Sequence, residues 1–501
     1  TCCIDGLHPR HISGLTDTAL TGLSHMFRCF EALGQWPKSE QAVLTALIPN
    51  TDGGLRPIAL FRTIYRIYAK YRSHIVKQWA ARLPDAQCNN SAGRWVGDST
   101  WRMQIRAITS TVKKFIEFLL DVRKAFEHVQ RGHLLDEATL NGYPLAEMLA
   151  SIVSYTWPRY ITCEGLLAEP IIPKRGIAAG SAFATFELWN LLRSAIRNLQ
   201  VAHPMSTICL HVDDLCLTAT GNTSEDVLIE AESMVAMAIE EFTNKKGLPF
   251  ADDKTFVIST DLALAKAAAK NILPSVTVAD TVGRLGVDYT LSAVATKKSS
   301  ALTVYRQRLM GGSAKVRRLR KMAPNGAPRL FSAGIIPSAL YGAEHFEVPP
   351  KDIAMLQRQA VKCSNVCPFG VPTTLGLLAL TTDNDPSFRA RSAPLLRWAR
   401  EIWLATDTEK RRPKDTLKYH EMHEAHSKII GPNILQQGPA KAIRASLAWL
   451  KWTMPMAHIL VTEEGEELDM ERGSPAMLKH YIRIAHENKS NRQCDECIQA
   501  R

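Results

Sequence analysis

No run of roughly eighteen apolar residues, the length a membrane-crossing helix needs, occurs in this sequence, nor does a basic leader followed by an apolar stretch. A membrane-spanning or secreted chain is therefore not expected. The pattern GxxxxGK[ST] is also missing, which argues against a P-loop nucleotide triphosphatase. The 11 cysteines form no framework. Two close pairs, Cys363/Cys367 and Cys494/Cys497, have no second pair at zinc-finger spacing, and Cys29, Cys209 and Cys216 lie among apolar neighbours. Reduced thiols in an intracellular core are the expectation, although Cys494 and Cys497 could open a zinc knuckle completed beyond Arg501. Acidic residues are lacking between Asp288 and Glu344, where Lys297, Lys298, Arg306, Arg308, Lys315, Arg317, Arg318, Arg320, Lys321 and Arg329 all fall. Such a one-sign stretch on helical spacing repels itself without a polyanion beside it, so a surface that tracks a nucleic-acid backbone is expected there.

What is present is ample. The 501 residues, 46% hydrophobic, can build roughly two to four packed subdomains. A net charge of +12 and a pI near 9.1 favour a polyanionic partner, nucleic acid and an acidic membrane surface alike. The first residue is Thr1, not Met, which suggests a fragment of a longer polypeptide.

The chemistry concentrates in TICLHVDDLCLTAT, Thr207 to Thr220. Two apolar, β-branched runs flank Asp213 and Asp214, the pattern of a hairpin with acids at its bend. Adjacent carboxylates repel, so an apolar hairpin carries them at a cost that a divalent cation removes. The bland alternative is a solvated Asp-Asp turn. A third acid shifts the balance: Phe115 to Leu120, apolar except for Glu117, reads as a buried strand that delivers Asp121 at its C-terminal end, where functional residues of sheet proteins collect. Three carboxylates brought together could hold two Mg²⁺ ions roughly 3.5–4 Å apart, which activates an attacking hydroxyl and neutralises a leaving pyrophosphate.

Earlier in the chain, a helix is predicted from Leu15 to Leu33, ending at Gly34, then a strand from Val43 to Ile48, a turn from Pro49 to Gly54, and LRPIAL. Arg56, just after that turn, offers a planar fork of donors suited to phosphate. From Arg62 to Ala81 the residues Arg62, Arg66, Lys70, Arg72 and Lys77 give an amphipathic helix a positive outer face. Phe126, five residues beyond Asp121, could pack on a sugar ring or belong to the core. Gly176 and Gly180 precede a helix running to about Leu199 and let a backbone approach a ligand closely. Thr223 and Asp226 can form a capping box for a helix closing at Gly247, and a strand KTFVIST begins with Lys254. Strand, helix, hairpin, helix, strand across 115–260 is the split β-α-β order: an antiparallel sheet with helices on one face and the acids on the other. Beyond residue 380 the sequence is helical and Trp-rich, with a basic cluster at Lys410 to Lys414 and no chemistry to assign.

The order of these pieces resembles the reverse transcriptases of non-LTR (LINE-like) retrotransposons, from about Asp5 to Glu344. IDGLHPRHI is similar to the family's N-terminal DG block, LIPNTDGGLRPIAL to its fingers hairpin, and LLDVRKAFEHV to the strand carrying the first catalytic Asp. KRGIAAGSAFATFELWNLL is similar to its template-side glycine block, HVDDL to its YxDD hairpin, DKTFVIST to its lysine block, RLGVDYT to its primer-grip turn, and LYGAE to a block after the thumb. The resemblance implies an α+β right-hand polymerase: fingers and lead-in over 1–110, palm over 111–290, basic helical thumb over 291–380, and a mostly helical region over 381–501. It implies a DNA primer extended on an RNA template from deoxynucleoside triphosphates, within the cell and, during target-primed synthesis, in the nucleus. Asp121, Asp213 and Asp214 would hold Mg²⁺, with Mn²⁺ as a substitute, and the carbonyl of Val122 would complete the shell. Phe126 would be a steric gate against the ribose 2′-hydroxyl, Gly180 would lie at the substrate, Arg56 would grip the triphosphate, and Lys254 would donate a proton to pyrophosphate. His211 stands where Tyr or Phe is usual, Glu127 for Asp, Ala179 for Gln, Asn50 for Lys, and Ala184-Thr185 for Ser-Pro. A repurposed copy that binds nucleic acid without catalysis, and a group II intron-type maturase, are the competing readings.

Overall fold

The computed structural model describes residues 5–49, 54–83, 95–109, 114–163, 166–291, 302–364, 372–406, 416–431 and 437–499. Asn50, Lys297, Lys298, Cys367 and the Lys410–Lys414 cluster lie outside the described residues.

The strands follow in chain order as β1 (Val43–Pro49), β2 (Leu55–Phe61), β3 (Lys114–Asp121), β4 (Arg159–Cys163), β5 (Leu166–Leu167), β6 (Thr207–His211), β7 (Asp214–Gly221), β8 (Phe256–Ser259), β9 (Thr277–Val278), β10 (Val282–Arg284) and β11 (Val287–Tyr289). A first sheet has the order β2-β1-β4-β5. In it β1 and β2 form the expected antiparallel hairpin, and β1 runs parallel to β4. Helix Asp17–Leu33 leads into it, capped by the Thr16 hydroxyl and stopped by Gly34 at φ 61°. Helix Thr63–Arg82 buries Tyr65, Tyr68, Val76 and Trp79. Its positive face is smaller than expected: Lys70 and Lys77 are exposed, but Arg72 folds back onto Glu31 in a bidentate pair at 2.5 and 2.6 Å.

The second sheet has the order β6-β7-β3-β8-β9. Its pairings are antiparallel except β8 with β9, which is parallel, so the expected antiparallel sheet gains a parallel edge. Alternation along β3 sorts its side chains. Ile116, Phe118 and Leu120 enter the main core with Leu188 and Leu192 of helix Ala184–Ala202, Val227 and Met234 of helix Ser224–Ile239, and Leu264 of helix Leu262–Asn271. The opposite face carries Phe115, Glu117, Leu119 and Asp121. It is not open along its length: Phe115 and Leu119 pack with Val282 and Tyr289 of the β10–β11 hairpin and with Met103 and Ala107 of helix Asp98–Thr109. Asp121, at the end of the strand, is half-buried. The strand expected to begin at Lys254 begins at Phe256, because Asp252–Lys254 forms a 3₁₀ turn.

Helix Thr303–Met322 follows the hairpin and buries Tyr305, Leu309 and Val316 against a third core with Phe331, Ile336 and Leu356. Arg306, Lys315, Arg318, Arg320 and Lys321 are exposed, and none pairs with a described acidic side chain. The remainder is helical, as expected, except for a three-stranded antiparallel sheet of β12 (Thr453–Met456), β13 (Ile459–Val461) and β14 (Glu467–Asp469). Trp398, Ile402, Met422, Ile443 and Ile482 form its core together with Trp101 and Ile105 of helix Asp98–Thr109. That helix is fastened by buried charges: Arg102 pairs with Glu401 at 3.1 Å, Arg397 with Glu401 at 2.6 Å, and Arg397 with Asp98. Cys209, Cys216, Cys363 and Cys494 are buried free thiols, whereas Cys29 is exposed, because its helix turns it outward. Cys494 and Cys497 lie within the continuous helix Pro475–Gln499, not in a knuckle turn. Among the described residues no helix is long and apolar enough to cross a membrane.

Candidate active site

Asp121 ends β3 and Asp214 begins β7, and the two are direct partners in the antiparallel register. Asp213 occupies the turn between β6 and β7, where the N–H of Val122 donates to its carbonyl oxygen at 3.4 Å. Val212 in that turn has φ 60°, a conformation costly for a β-branched residue and held here by the strands on either side. A tight, strained bend thus brings both members of the acidic pair to the end of β3. Residues 92 and 93 positions apart in sequence meet because β7 lies between β6 and β3.

The electrostatics record the crowding. Burial, then the charges of Asp214 and Asp121, push the Asp213 carboxyl up to about 6. Asp214 is raised by its low-dielectric surroundings and by Asp121, and lowered by Arg284 and Lys254. Asp121 is raised by burial, with Lys254 opposing and Asp253 adding to the shift. Three carboxylates that hold one another's protons on are a site short of positive charge, which is the condition a divalent cation relieves. Among the described residues no three His, Cys, Asp or Glu side chains form a ready-made metal cage. The acids make a shelf at the sheet's end, open to a substrate that supplies the remaining oxygens, as catalytic Mg²⁺ sites do.

Two of the other sequence-predicted residues bear on this shelf, and the rest are fixed by their own contacts. The exposed Arg56 on β2 bears electrostatically on Asp213, and Lys254 on Asp121 and Asp214. Val122 is buried and bridged to Phe250, and Arg123 N–H donates to Pro249 O at 2.8 Å, which clamps the chain just past Asp121. Phe126 lies half-buried in the short helix Ala125–His128, packed against the main core. Its carbonyl accepts from Ile177 N–H at 2.7 Å. Gly176, at φ 91°, fits there because a Cβ would stand 2.9 Å from Phe126 O. Gly180, at φ 115°, sits against β2: a Cβ would meet Ala59 O at 2.3 Å, while Ala59 N–H donates to Ala179 O at 2.6 Å. The backbone that Gly180 lets approach is therefore that of the strand carrying Arg56.

Two charged residues inside the quoted motifs DKTFVIST and RLGVDYT, given no role by the sequence, belong here. Asp253 adds negative charge beside Asp121, and the buried Arg284 adds positive charge beside Asp214. For Arg284 the sequence does hold a signal, the lone charge of Glu117 in an apolar strand, since a buried carboxylate needs a partner.

A sheet end with three crowded carboxylates, on which a lysine and an arginine bear electrostatically, suits a divalent cation and a phosphate-bearing substrate. The family model for reverse transcriptase (RNA-dependent DNA polymerase) matches residues 48–289. A comparison with curated proteins finds no match. Among solved structures, apo telomerase from Candida Tropicalis aligns at 11% identity and TM-score 0.39 over 73% of this chain and 63% of that one. Its form truncated from the C-terminal domain aligns at 13% and 0.38 over 55% and 59%. An insertion-loop deletion mutant of the RNA-dependent RNA polymerase of a human picobirnavirus aligns at 12% and 0.40 over 68% and 61%. The chain spans about three fifths of the length of these structures.

Proposed function

We propose that this chain extends a DNA primer on an RNA template by two-metal nucleotidyl transfer, as the polymerase of a non-LTR retrotransposon with a split β-α-β palm. The observation that carries the reading is the register that sets Asp121 opposite Asp214 with Asp213 at the adjoining bend.

Asp121, Asp213 and Asp214, with the Val122 carbonyl, are the groups to hold divalent cations. When bound, two Mg²⁺ ions lower the pKa of the primer 3′-hydroxyl and neutralise charge on the departing pyrophosphate. The rest falls to side chains. Arg56 presents its guanidinium to the triphosphate, and Lys254, whose charge bears on Asp121 and Asp214, donates the proton that pyrophosphate takes as it leaves. Phe126, with its backbone pinned by Ile177, stands at the sugar and closes the space a 2′-hydroxyl would need. The exposed cations of helix Thr303–Met322 track the phosphates of the primer–template duplex. Synthesis of this kind, primed at its target, would take place in the nucleus.

Primer extension with an RNA template, deoxynucleotides and Mg²⁺ tests this. Incorporation by the wild type that Asp213→Asn abolishes is expected. No incorporation, or incorporation unchanged by that substitution, rejects it.

A further inference from the structure

The acid-bearing face of the palm sheet holds a buried charge cluster that the chemistry above does not use. Glu117 lies four residues before Asp121 on β3, on the same face, and is fully buried. One carboxylate oxygen accepts from Arg284 Nη1 at 2.5 Å and from the Cys216 thiol, and the other from the Tyr289 hydroxyl at 2.5 Å. The Arg284 guanidinium lies over the Tyr289 ring, 5.0 Å from its centroid. Both strands of the β10–β11 hairpin are thus bolted to the catalytic strand.

The far side of the same hairpin is bolted to the basic helix. Asp288 accepts from the N–H groups of Val304 and Tyr305 at 3.0 Å each, capping helix Thr303–Met322. Tyr341 donates its hydroxyl to Leu285 O at 3.2 Å, and Arg308 donates to Tyr341 O at 3.0 Å. The hairpin turns through Leu285 at φ 48° and Gly286 at φ 78°, a tight bend with little slack. It is the rigid link between the three acids and the surface that meets phosphates.

A buried ion pair costs desolvation that a packed apolar pair would not, so stability alone does not account for one in an otherwise apolar face. What a planar guanidinium supplies, hydrogen-bonded through Nη1 and laid over the Tyr289 ring, is direction. We propose that Glu117 and Arg284 are positioning residues: their pair sets the hairpin, and through it helix Thr303–Met322, at a fixed place relative to Asp121, Asp213 and Asp214, and so sets where the primer–template rests. This rests on the polymerase reading. The pair touches no reacting atom; its contribution is the seating of the duplex.

Single-nucleotide extension with primer–template titrated at saturating nucleotide tests it, in the wild type, Glu117→Gln and the double variant Glu117→Leu/Arg284→Met. The double variant removes the desolvation cost of the pair but strands the buried Tyr289 hydroxyl, so its melting temperature is read beside activity to establish that it folds. Its KM for primer–template should rise about tenfold, since a small misplacement weakens seating. Glu117→Gln keeps the Arg284 charge beside Asp214 and carries the split: the same rise in KM with kcat changed by less than about twofold, which decides the matter if the double variant does not fold. Wild-type KM for primer–template in a folded variant, or a loss in kcat alone, overturns the proposal. A wild type that extends beside such variants sinks this inference only; a wild type that extends nothing sinks the polymerase reading and this inference with it.

Discussion

Asp121 and Asp214 face each other across β3 and β7, and each raises the proton affinity of the Asp213 carboxyl beside them. On the proposed function each would hold a divalent cation. Substituting Asn for Asp121 or Asp213 is expected to lower Mg²⁺-dependent primer extension by at least about a thousandfold, corresponding to the several kcal/mol a metal ion contributes to transition-state charge. The fold should survive, so circular dichroism should be unchanged, and the rate is read in single-turnover extension.

The same repulsion makes cation binding depend on pH. The Asp213 carboxyl stands at about 6 in the folded chain, above the ordinary carboxylate range. A raised acid favours the folded state fully below its unfolded pKa, and that contribution is lost as pH rises to about 6. A cation that competes with the proton restores it. Thermal melting with and without Mg²⁺ should therefore show little stabilisation at pH 5 and a clear increase at pH 7.5, and the increase should disappear in Asp121→Asn/Asp213→Asn.

Gly180 is a steric fixture against β2. Its positive φ and the 2.3 Å that would separate a Cβ from Ala59 O leave no room for alanine, since the obstacle is backbone. Gly180→Ala should destabilise the chain by about 2–4 kcal/mol, read as the shift in denaturant midpoint at unchanged slope. By displacing β2 it should also raise the nucleotide KM, because Arg56 lies on that strand.

Phe126 is held by its backbone and is half-buried, so trimming its ring should leave the main core standing. Phe126→Val should let ribonucleotides compete, lowering the preference for deoxynucleotides by at least about tenfold in paired single-nucleotide extensions. An unchanged preference would remove Phe126 from the sugar site and leave it to the core.

Glu401 is fully buried and is the shared partner of Arg102 and Arg397. Glu401→Ala leaves two buried guanidinium groups short of a counter-charge and should cost about 3–5 kcal/mol. Because Arg102 sits on the helix that covers the acid-bearing face of β3, the loss should also be felt as reduced extension, measured beside the melting temperature.

The local sequence determined the pieces. The apolar run ending in Asp121, the hairpin around Asp213 and Asp214, the Thr16 and Gly34 helix limits and the basic run after Asp288 each follow from spacing, capping or charge within a few residues. Their separation into faces follows too, because alternation in a strand is a local property. Tertiary structure alone decided what those pieces meet. The parallel edge at β9, the return of Arg72 onto Glu31, the hairpin covering the acid-bearing face, and Arg284 joining Glu117 from 167 residues away depend on contacts between distant elements, for which no local pattern codes. A lone buried charge announces that it has a partner; only the packed chain selects which one, because the partner is fixed by geometry in space and not by distance along the sequence.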